Sequence, residues 1–343
     1  MTAPTETKTK QKLKKKTSLT GIKPTGTPHL GNYLGAIQPS LALVEEYQPF
    51  YFIADYHGLT TIRDPKDMKR YTHEVAAAWL ACGLDPKDVV FYRQSDIPEV
   101  FEFMWVLACF TGKGWLNRAH AYKASVDVNT EEGRDADDGV NAGLYNYPVL
   151  MAADIILFNT QIVPVGQDQR QHIEIARDIA NGFNHVYGET LVVPEAGIIE
   201  DVATITGLDG RKMSKSYGNT IEIFAEPKQL RKQVMRIVTD SLRPEEPKDP
   251  DTNNVYNIYK HFANPEMIAE NRKKYIEGGV GYGDLKQELF ELLDETFREP
   301  RTRYKELMAD TAQIDAILQE GSLKAREIAS DVLGRVRRKV GMD

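Results

Sequence analysis

Cysteine is scarce in this chain, which has two cysteines, Cys82 and Cys109, among 343 residues. They have neither the CxxC spacing nor the neighbouring histidines that a disulfide framework or a zinc site requires. Both lie in apolar surroundings, so we expect ordinary core thiols in a reducing, cytoplasmic compartment. The seven histidines do not cluster at metal-ligand spacing either, and we predict no protein-bound metal.

The chain also lacks an apolar run long enough to cross a bilayer. The longest run, residues 147–158, is far shorter than the ~20 residues that a membrane helix needs, and it contains Asp154. The N-terminal lysines are not followed by an apolar segment and have no arginine among them, so neither a secretory signal nor a mitochondrial transit peptide is indicated. We therefore expect no membrane partner.

Net positive charge is absent, since 43 Lys and Arg stand against 50 Asp and Glu, a net charge of −7. Residues 1–17 are the exception, with six lysines and one glutamate, and we predict that they form a disordered arm. Two roles stay open for this arm, faster association with a nucleic acid or none beyond a solvated tail. The rest of the chain is acidic, so any nucleic-acid contact there must be a local basic patch.

The order of apolar patterns predicts an α/β fold. Four β-rich runs, at residues 18–22, 50–54, 89–93 and 161–165, each precede a helix-like stretch, which indicates a Rossmann-like, doubly wound parallel sheet with helices on both faces. Helices are predicted to begin after Asp64-Pro65 and after Asp96-Ile97-Pro98. From about Pro227 the strand signals disappear.

The domain prediction follows from that change of pattern and from the length, which suggests about two domains at ~150 residues each. We predict the arm at 1–17, the α/β domain at 18–226 and a mostly helical part at 227–343, of which a terminal helix packs back on the α/β domain. A charged linker at 243–252 and a glycine cluster at 278–283 interrupt the helical part.

The loop after the first predicted strand has the composition of a phosphate-binding turn. It runs from strand to helix, where a doubly wound sheet binds phosphates. Gly26 and Gly31 let backbone amides approach an anion, and His29 and Asn32 add side-chain donors. A helix is predicted to begin near Asn32, with its positive end towards the same anion. It is not a P-loop, because Asn32-Tyr33 replaces the Lys-Ser/Thr pair, and no GxGxxG fingerprint occurs. Taken alone, a structural turn with a helix cap explains it equally well.

A second loop, residues 210–216, follows a short strand-like run at residues 202–205. It places three cations and two hydroxyls within seven residues. Such a loop is often only solvated surface. Paired with the first loop at one sheet edge, however, it would clamp a triphosphate from both sides.

Asp154 stands within an apolar helix-like run, where a carboxylate is costly unless something pairs with it. One interpretation is an aspartate that caps or forms an ion pair elsewhere in the core. The other is a carboxylate in an apolar slot that accepts a hydrogen bond from an indole N–H, a donor on a large flat apolar body.

Two motifs carry a family resemblance. His29-Leu30-Gly31-Asn32 resembles the HIGH signature and 212–216 is a complete KMSKS signature, the marks of class I aminoacyl-tRNA synthetases. With the segments 31–36, 144–158 and 162–172, the chain closely resembles the bacterial-type tryptophanyl-tRNA synthetases from residue 18 onward, less so in the helical C-terminal part.

The resemblance implies a tryptophan–tRNA ligase. Its substrates are L-tryptophan, ATP with Mg²⁺ carried by the nucleotide, and tRNA(Trp). The carboxylate of tryptophan attacks the α-phosphorus to give the adenylate and pyrophosphate, and the 2′-hydroxyl of the terminal adenosine then takes the amino acid. It further implies a homodimer, with anticodon recognition in the C-terminal helices, including residues 281–305.

The resemblance also implies site residues, carried over position by position. For catalysis these are His29, Asn32, Lys212, Lys215 and Ser216. For ATP binding they are Lys23, Pro24, Thr25, Gly31, Asn32, Gly166, Gln167, Asp168, Ile205, Lys212, Met213, Ser214, Lys215 and Ser216. For tryptophan binding they are Asp154 on the indole N–H, Met151 on the ring, Tyr147 and Gln169 on the ammonium, and Val163, Val165 and His57 around the pocket. Lys23 stands where many relatives have Gln, and its role is open between a phosphate and a carboxylate contact.

Three alternatives stay open at this point. A tyrosyl-tRNA synthetase also needs a polar acceptor in its pocket, although the MAAD and VPVGQD segments disfavour it. A catalytically silent RNA-binding paralogue would be expected to have an eroded KMSKS loop. A small nucleotidyl transferase would not explain the long helical C-terminal part.

Overall fold

Five parallel strands form the centre of the computed structural model, which describes residues 15–198 and 205–342. The strands are β1 (Thr17–Ile22), β2 (Gln48–Ile53), β3 (Val90–Arg93), β4 (Ile162–Val165) and β5 (Glu195–Ile198). Their order is β3-β2-β1-β4-β5, so the chain reverses direction across the sheet between β1 and β4. In such sheets ligands bind outside the carboxyl ends of the strands at this reversal. The predicted Rossmann-like fold class is confirmed.

Helices surround the sheet. In chain order they are α1 (Leu30–Asn32), α2 (Gln38–Ala42), α3 (Asp55–Gly58), α4 (Pro65–Ala81), α5 (Glu99–Ala108), α6 (Lys113–Leu116), α7 (His120–Glu131), α8 (Ala142–Ile156), α9 (Arg170–Tyr187), α10 (Pro227–Met235), α11 (Asn254–Tyr259), α12 (Pro265–Glu277), α13 (Tyr282–Thr296), α14 (Arg298–Ala309) and α15 (Thr311–Val340). A π-helical turn, Tyr33–Ile37, joins α1 to α2. No helix within the two described ranges is both long and apolar enough to cross a membrane.

Alternation along β2 builds the core on both faces of the sheet. Phe50 and Phe52 face one buried cluster with α5, α8 and α9, whereas Tyr51 and Ile53 face the other with α4. All four side chains are buried, as expected for a strand covered on both sides.

The predicted strands and helix starts agree with the structure, with three corrections. β1 begins at Thr17, one residue inside the predicted arm, whose residues 1–14 lie outside the described part. Cys109 is exposed, so the prediction of a core thiol is wrong there, whereas Cys82 is partly buried and packs against the core. β5 was not predicted, because its sequence EAGI has neither alternation nor an apolar run; the run predicted at 202–205 lies, except for Ile205, outside the described residues.

From Pro227 onward the described regular elements are all helices, as predicted. The charged linker is ordered around Lys248, which is 3% exposed and donates to the carbonyls of Arg243, Pro244 and Glu246. Side chains from both sides of the predicted boundary at 226 share one buried cluster. The division into domains therefore stays a prediction.

Helix α15 returns to the sheet and covers the edge of β3. Arg326 on this helix forms an ion pair with Glu99 of α5 at 2.9 Å. At the crossing point a Cβ on Gly321 would overlap the carbonyl oxygen of Phe91 in β3 and lie 2.6 Å from its carbonyl carbon. Only glycine lets the helix backbone approach the strand this closely.

Gly321→Ala is expected to lower the free energy of unfolding by about 2–3 kcal/mol, because the overlap with backbone outweighs the roughly 1 kcal/mol gain in helix propensity. Urea unfolding measures the difference. Gly334→Ala on the same helix is the matched control: its Cβ would meet only the flexible end of Arg338 at 3.7 Å, so it should be neutral or stabilising. Equal stability of the two variants would contradict the role of Gly321.

Candidate active site

A cavity of about 300 Å³ opens between β1 and β4, at the reversal of strand order. Its wall includes all seven residues predicted to bind tryptophan: His57, Tyr147, Met151, Asp154, Val163, Val165 and Gln169. These side chains come from α3, α8, β4 and the turn after β4. The remaining wall is mostly apolar, with contributions from Leu19, Phe52 and Ile155.

Asp154 is the buried carboxylate of this cavity, 2% exposed on α8. Gln94 Nε2 donates to both of its oxygens at 2.8 and 2.9 Å, and His57 Nε2 lies 2.9 Å from Oδ2. Burial raises the pKa of Asp154, while the hydrogen bonds and charge of His57 and the bond from Gln94 lower it. The carboxylate is therefore paired within the core and also faces the cavity, and its role as the acceptor of an indole N–H stays a prediction.

Gln94 is a site residue that the sequence reasoning missed. It directly follows β3 and is fully buried; its Oε1 accepts from the backbone N–H of Tyr56 while its Nε2 holds Asp154. The available signal was its position, a polar side chain immediately after a predicted parallel strand.

A second polar group lies at the rim of the cavity. The Tyr147 hydroxyl lies 2.5 Å from Nε2 of His172, and the other ring nitrogen, Nδ1, lies 3.0 Å from Oε1 of Gln169. The ring of His57 packs edge-on to Tyr147, with centroids 5.7 Å apart. His172, 4% exposed, was not predicted as a site residue, although it connects the two residues predicted to bind the ammonium.

Lys23 lines the same cavity. Its Nζ donates to Oγ1 of Thr60 at 2.8 Å, and burial lowers its pKa. The structure thus places Lys23 beside the residues predicted for tryptophan rather than only among those predicted for ATP.

The first loop is shaped by a helix cap. Nδ1 of His29 accepts from the Gly31 N–H, and Oδ1 of Asn32 accepts from the His29 N–H, both at 3.1 Å. Helix α1 starts at Leu30, two residues before the predicted start. Burial and the charge of Lys215 lower the pKa of His29 to about 4, so the ring is neutral at pH 7. Because Nδ1 accepts a hydrogen bond, the single proton of the neutral ring is on Nε2 and points away from the cap.

The second loop is fixed by backbone contacts. The Met213 N–H donates to the carbonyl of Ile205 at 2.8 Å, and both side chains are buried. Asn219 accepts from the Ser214 N–H and donates to the carbonyl of Lys212. Met213 and Ile205, predicted to bind ATP, therefore contribute an anchor for the loop.

The two loops meet at Lys215. Its Nζ donates to the carbonyl of Thr25 at 2.9 Å. Burial lowers the pKa of Lys215 to about 8, while the charges of Glu74 and Glu222 raise it. The hydroxyls of Ser214 and Ser216 lie 2.8 Å apart on the same turn. The structure therefore brings the two predicted signature loops together.

The remaining predicted residues are placed as follows. Gly166 and Gln167 follow the carboxyl end of β4, and Pro24 is buried beside Gly58. The side chain of Asp168 lies outside the described part of the structure. No group of three or more His, Cys, Asp or Glu is arranged to hold a metal ion among the residues described.

Residues 281–305 were predicted to read the anticodon. Tyr304 in this range is stacked on Phe224, with ring centroids 4.1 Å apart. One face of its ring is thus covered by protein, and anticodon recognition by these helices stays a prediction.

Comparison with known proteins identifies the family. The sequence model of the tRNA synthetases class I (W and Y) matches residues 11–298. The tryptophan–tRNA ligase of Pseudomonas aeruginosa is 53% identical over 329 residues, 94% of this chain and 73% of its own length. The chain belongs to the bacterial tryptophanyl-tRNA synthetases of class I. The tryptophan–tRNA ligase of Neisseria meningitidis serogroup A is 50% identical to this chain over 333 residues, 96% of this chain and 99% of its own length.

Solved structures agree. The tryptophanyl-tRNA synthetase of Campylobacter jejuni, complexed with ADP and tryptophan, is 45% identical, with a TM-score of 0.86 over 95% of this chain and 99% of its own. A tyrosyl-tRNA synthetase from Archaeoglobus fulgidus, covering 85% of this chain and 90% of its own at 19% identity and a TM-score of 0.63, shares the fold. The relatives thus favour the tryptophanyl synthetase over the tyrosyl alternative.

Proposed function

We propose that this synthetase activates L-tryptophan with ATP to tryptophanyl-adenylate and pyrophosphate, and then transfers tryptophan to the 3′ end of tRNA(Trp). The observation that carries the proposal is the buried carboxylate of Asp154 in an apolar cavity. The wall of this cavity includes Lys23, two residues before the Thr25 carbonyl that joins the two signature loops. A flat apolar ring with one N–H donor matches this cavity.

Tryptophan is proposed to bind with its indole N–H on Asp154 and its ring against Met151. Val163 and Val165 would form the sides of the slot. Tyr147 and Gln169, at the rim, would hold the ammonium. Lys23 would then be close to the carboxylate and the α-phosphate, which explains why its side chain faces the cavity rather than solvent.

ATP is proposed to bind along the first loop, with its phosphates between the two signature loops. The Nε2–H of His29, the amide nitrogen of Asn32 and the cations of 212–216 are the donors available there. Gly166, Gln167, Asp168 and the segment 23–25 are the other proposed ATP contacts. Mg²⁺ enters as part of the MgATP substrate.

The activation step requires positioning and charge neutralisation. A carboxylate oxygen of tryptophan forms a bond to the α-phosphorus, the bond to the bridging oxygen breaks, and its electron pair leaves with pyrophosphate. Because the attacking group is already an anion, no protein nucleophile is needed. Lys212, Lys215 and Ser216 would stabilise the charge that develops on the α-phosphoryl and leaving oxygens.

A homodimer and anticodon recognition by the C-terminal helices are part of the same proposal. Helix α5 exposes Phe101 (44%) and Trp105 (73%) on one face, which supports a protein–protein surface there. Phe101 also packs edge-on to Tyr56, the neighbour of His57. Light scattering of the wild type and of Trp105→Glu tests the dimer: a wild-type dimer that the charge dissociates supports it, and a wild-type monomer overturns it.

The test of the activity is amino-acid-dependent ATP–pyrophosphate exchange without tRNA, comparing tryptophan with tyrosine. We expect exchange with tryptophan only. Exchange with tyrosine would keep the reaction and overturn the pocket assignment. Exchange with neither amino acid would support the catalytically silent RNA-binding protein.

A further inference from the structure

Glu74 is a buried acid that the activation mechanism does not use. It lies on α4 and is 7% exposed. Arg70 donates to its Oε1 at 3.2 Å. Burial raises the pKa of Glu74, while Arg70, the charge of Lys215 and the Thr27 side chain of the first loop lower it. A buried carboxylate is costly unless other groups compensate its charge, so its location beside the first loop calls for a reason.

The position of Glu74 relative to the second signature loop supplies one. Gly26 has a φ of +100°, and a Cβ there would lie 3.3 Å from the ring of Tyr71 and 3.4 Å from Nζ of Lys215. The α4 helix and the Lys215 ammonium therefore flank the same glycine of the first loop. Glu74 follows Tyr71 by three residues, which places both on one side of α4.

Charged and titratable groups from several elements lie around the ammonium of Lys215. Its charge interacts with His29 of the first loop, Glu74 of α4 and Glu222 of the segment that bridges to His29, and Tyr71 of α4 lies beside it across Gly26. Arg70 and Tyr304 of α14 face the two carboxylates rather than Lys215. No direct ion pair joins Lys215 to either carboxylate among the ion pairs of the described residues; its hydrogen bond goes to the Thr25 carbonyl. The two carboxylates thus act on it through space.

We propose that Glu74 is a positioning residue for the activation step. Its carboxylate holds the charged Lys215 side chain at the Thr25 carbonyl until the phosphates of ATP bind the Lys215 ammonium instead. This inference rests on the proposed role of Lys215 toward ATP. Glu74 has two opposed effects in it. It keeps Lys215 protonated, and it competes with the phosphates for the same ammonium.

Glu74→Gln separates these effects, because the amide keeps the size and the acceptor for Arg70 but removes the charge. In tryptophan-dependent exchange at pH 7 we expect the KM for ATP to fall about 3- to 10-fold, since a competing anion is gone, with kcat changed less than about threefold. A neighbouring carboxylate raises the pKa of a lysine, so the alkaline limb of the pH profile should move to lower pH, by about half a unit or more.

Asp67→Asn is the matched control. Asp67 lies on the same helix, is only partly buried, and accepts from the other end of Arg70 at 2.7 Å, so its loss perturbs Arg70 without removing the buried charge. Both the KM for ATP and the alkaline limb should stay at wild-type values. A merely structural Glu74 would lower the melting temperature without moving the pH profile.

Each outcome decides between the two proposals. Wild-type protein without tryptophan-dependent exchange overturns the proposed function, and this inference with it. Wild-type exchange together with a folded Glu74→Gln variant of unchanged KM and unchanged alkaline limb overturns only the role of Glu74. Where Glu74→Gln does not fold, Glu74→Asp replaces it. This variant moves the charge away by one methylene, so the KM for ATP and the alkaline limb should shift in the same directions but by smaller amounts.

Discussion

Replacing Asp154 by alanine is expected to lower kcat/KM for tryptophan in the exchange reaction by about 100-fold or more, because a hydrogen bond to a buried charged group is lost. The variant should also lose discrimination. A site built to accept an N–H rejects an analogue without that donor strongly, since its buried acceptor is then unpaired. Without the carboxylate, tryptophan and an analogue with sulfur in place of the indole N–H should react at similar kcat/KM.

The control for a generally disturbed pocket is Gln94→Ala. This change removes the donor that holds Asp154 at 2.8 Å but keeps the acceptor for the indole. We expect a lower kcat/KM with the preference for the N–H retained. If Asp154→Ala kept the wild-type preference over the sulfur analogue, the assignment of Asp154 would be wrong.

Lys215→Ala is expected to slow adenylate formation by about 2–4 kcal/mol of transition-state stabilisation, roughly 30- to 1000-fold, with a smaller effect on the KM for tryptophan. The reason is the position of the ammonium, which meets the first loop at Thr25 where the phosphates are proposed to lie. Single-turnover formation of the adenylate measures this step without contributions from product release.

Lys228→Ala controls for the loss of a positive charge in general, because Lys228 is exposed on α10. It should leave the single-turnover rate unchanged. The pH profile gives a second check: burial lowers the pKa of Lys215 to about 8, so the wild-type rate should decline above that pH as the charged form is lost. An unchanged single-turnover rate in Lys215→Ala would remove this residue from the mechanism.

Local sequence patterns were sufficient for much of the fold. Strands β1 to β4 are apolar runs followed by helical periodicity, and a parallel order follows from that alternation. Strand β5 has no such pattern, and its conformation depends on its pairing with β4. The prediction that Cys109 is a core thiol was wrong for a related reason. Its sequence neighbours are apolar, but the packing of α5, which Cys109 follows, decides which side chains are exposed.

The local sequence likewise predicts only some of the site residues. Asp154 could be predicted because a carboxylate within an apolar run is unusual and needs a partner. Gln94 and Glu74 carry no such contrast, and each acts on a residue far away in sequence, Asp154 and Lys215 respectively. Their contributions depend on which polar side chains the sheet brings together, a property of tertiary structure that one sequence does not display.

The contact between α15 and β3 has a consequence for the newly made chain. β3 is an edge strand, and α15 follows every other described helix in the sequence. While the protein is being synthesised, the sheet can assemble before its cover exists, and the unpaired backbone groups of β3 are then accessible to other strands. A chain whose synthesis stops before α15 is therefore expected to be prone to aggregation, and a chaperone would be needed most in that interval.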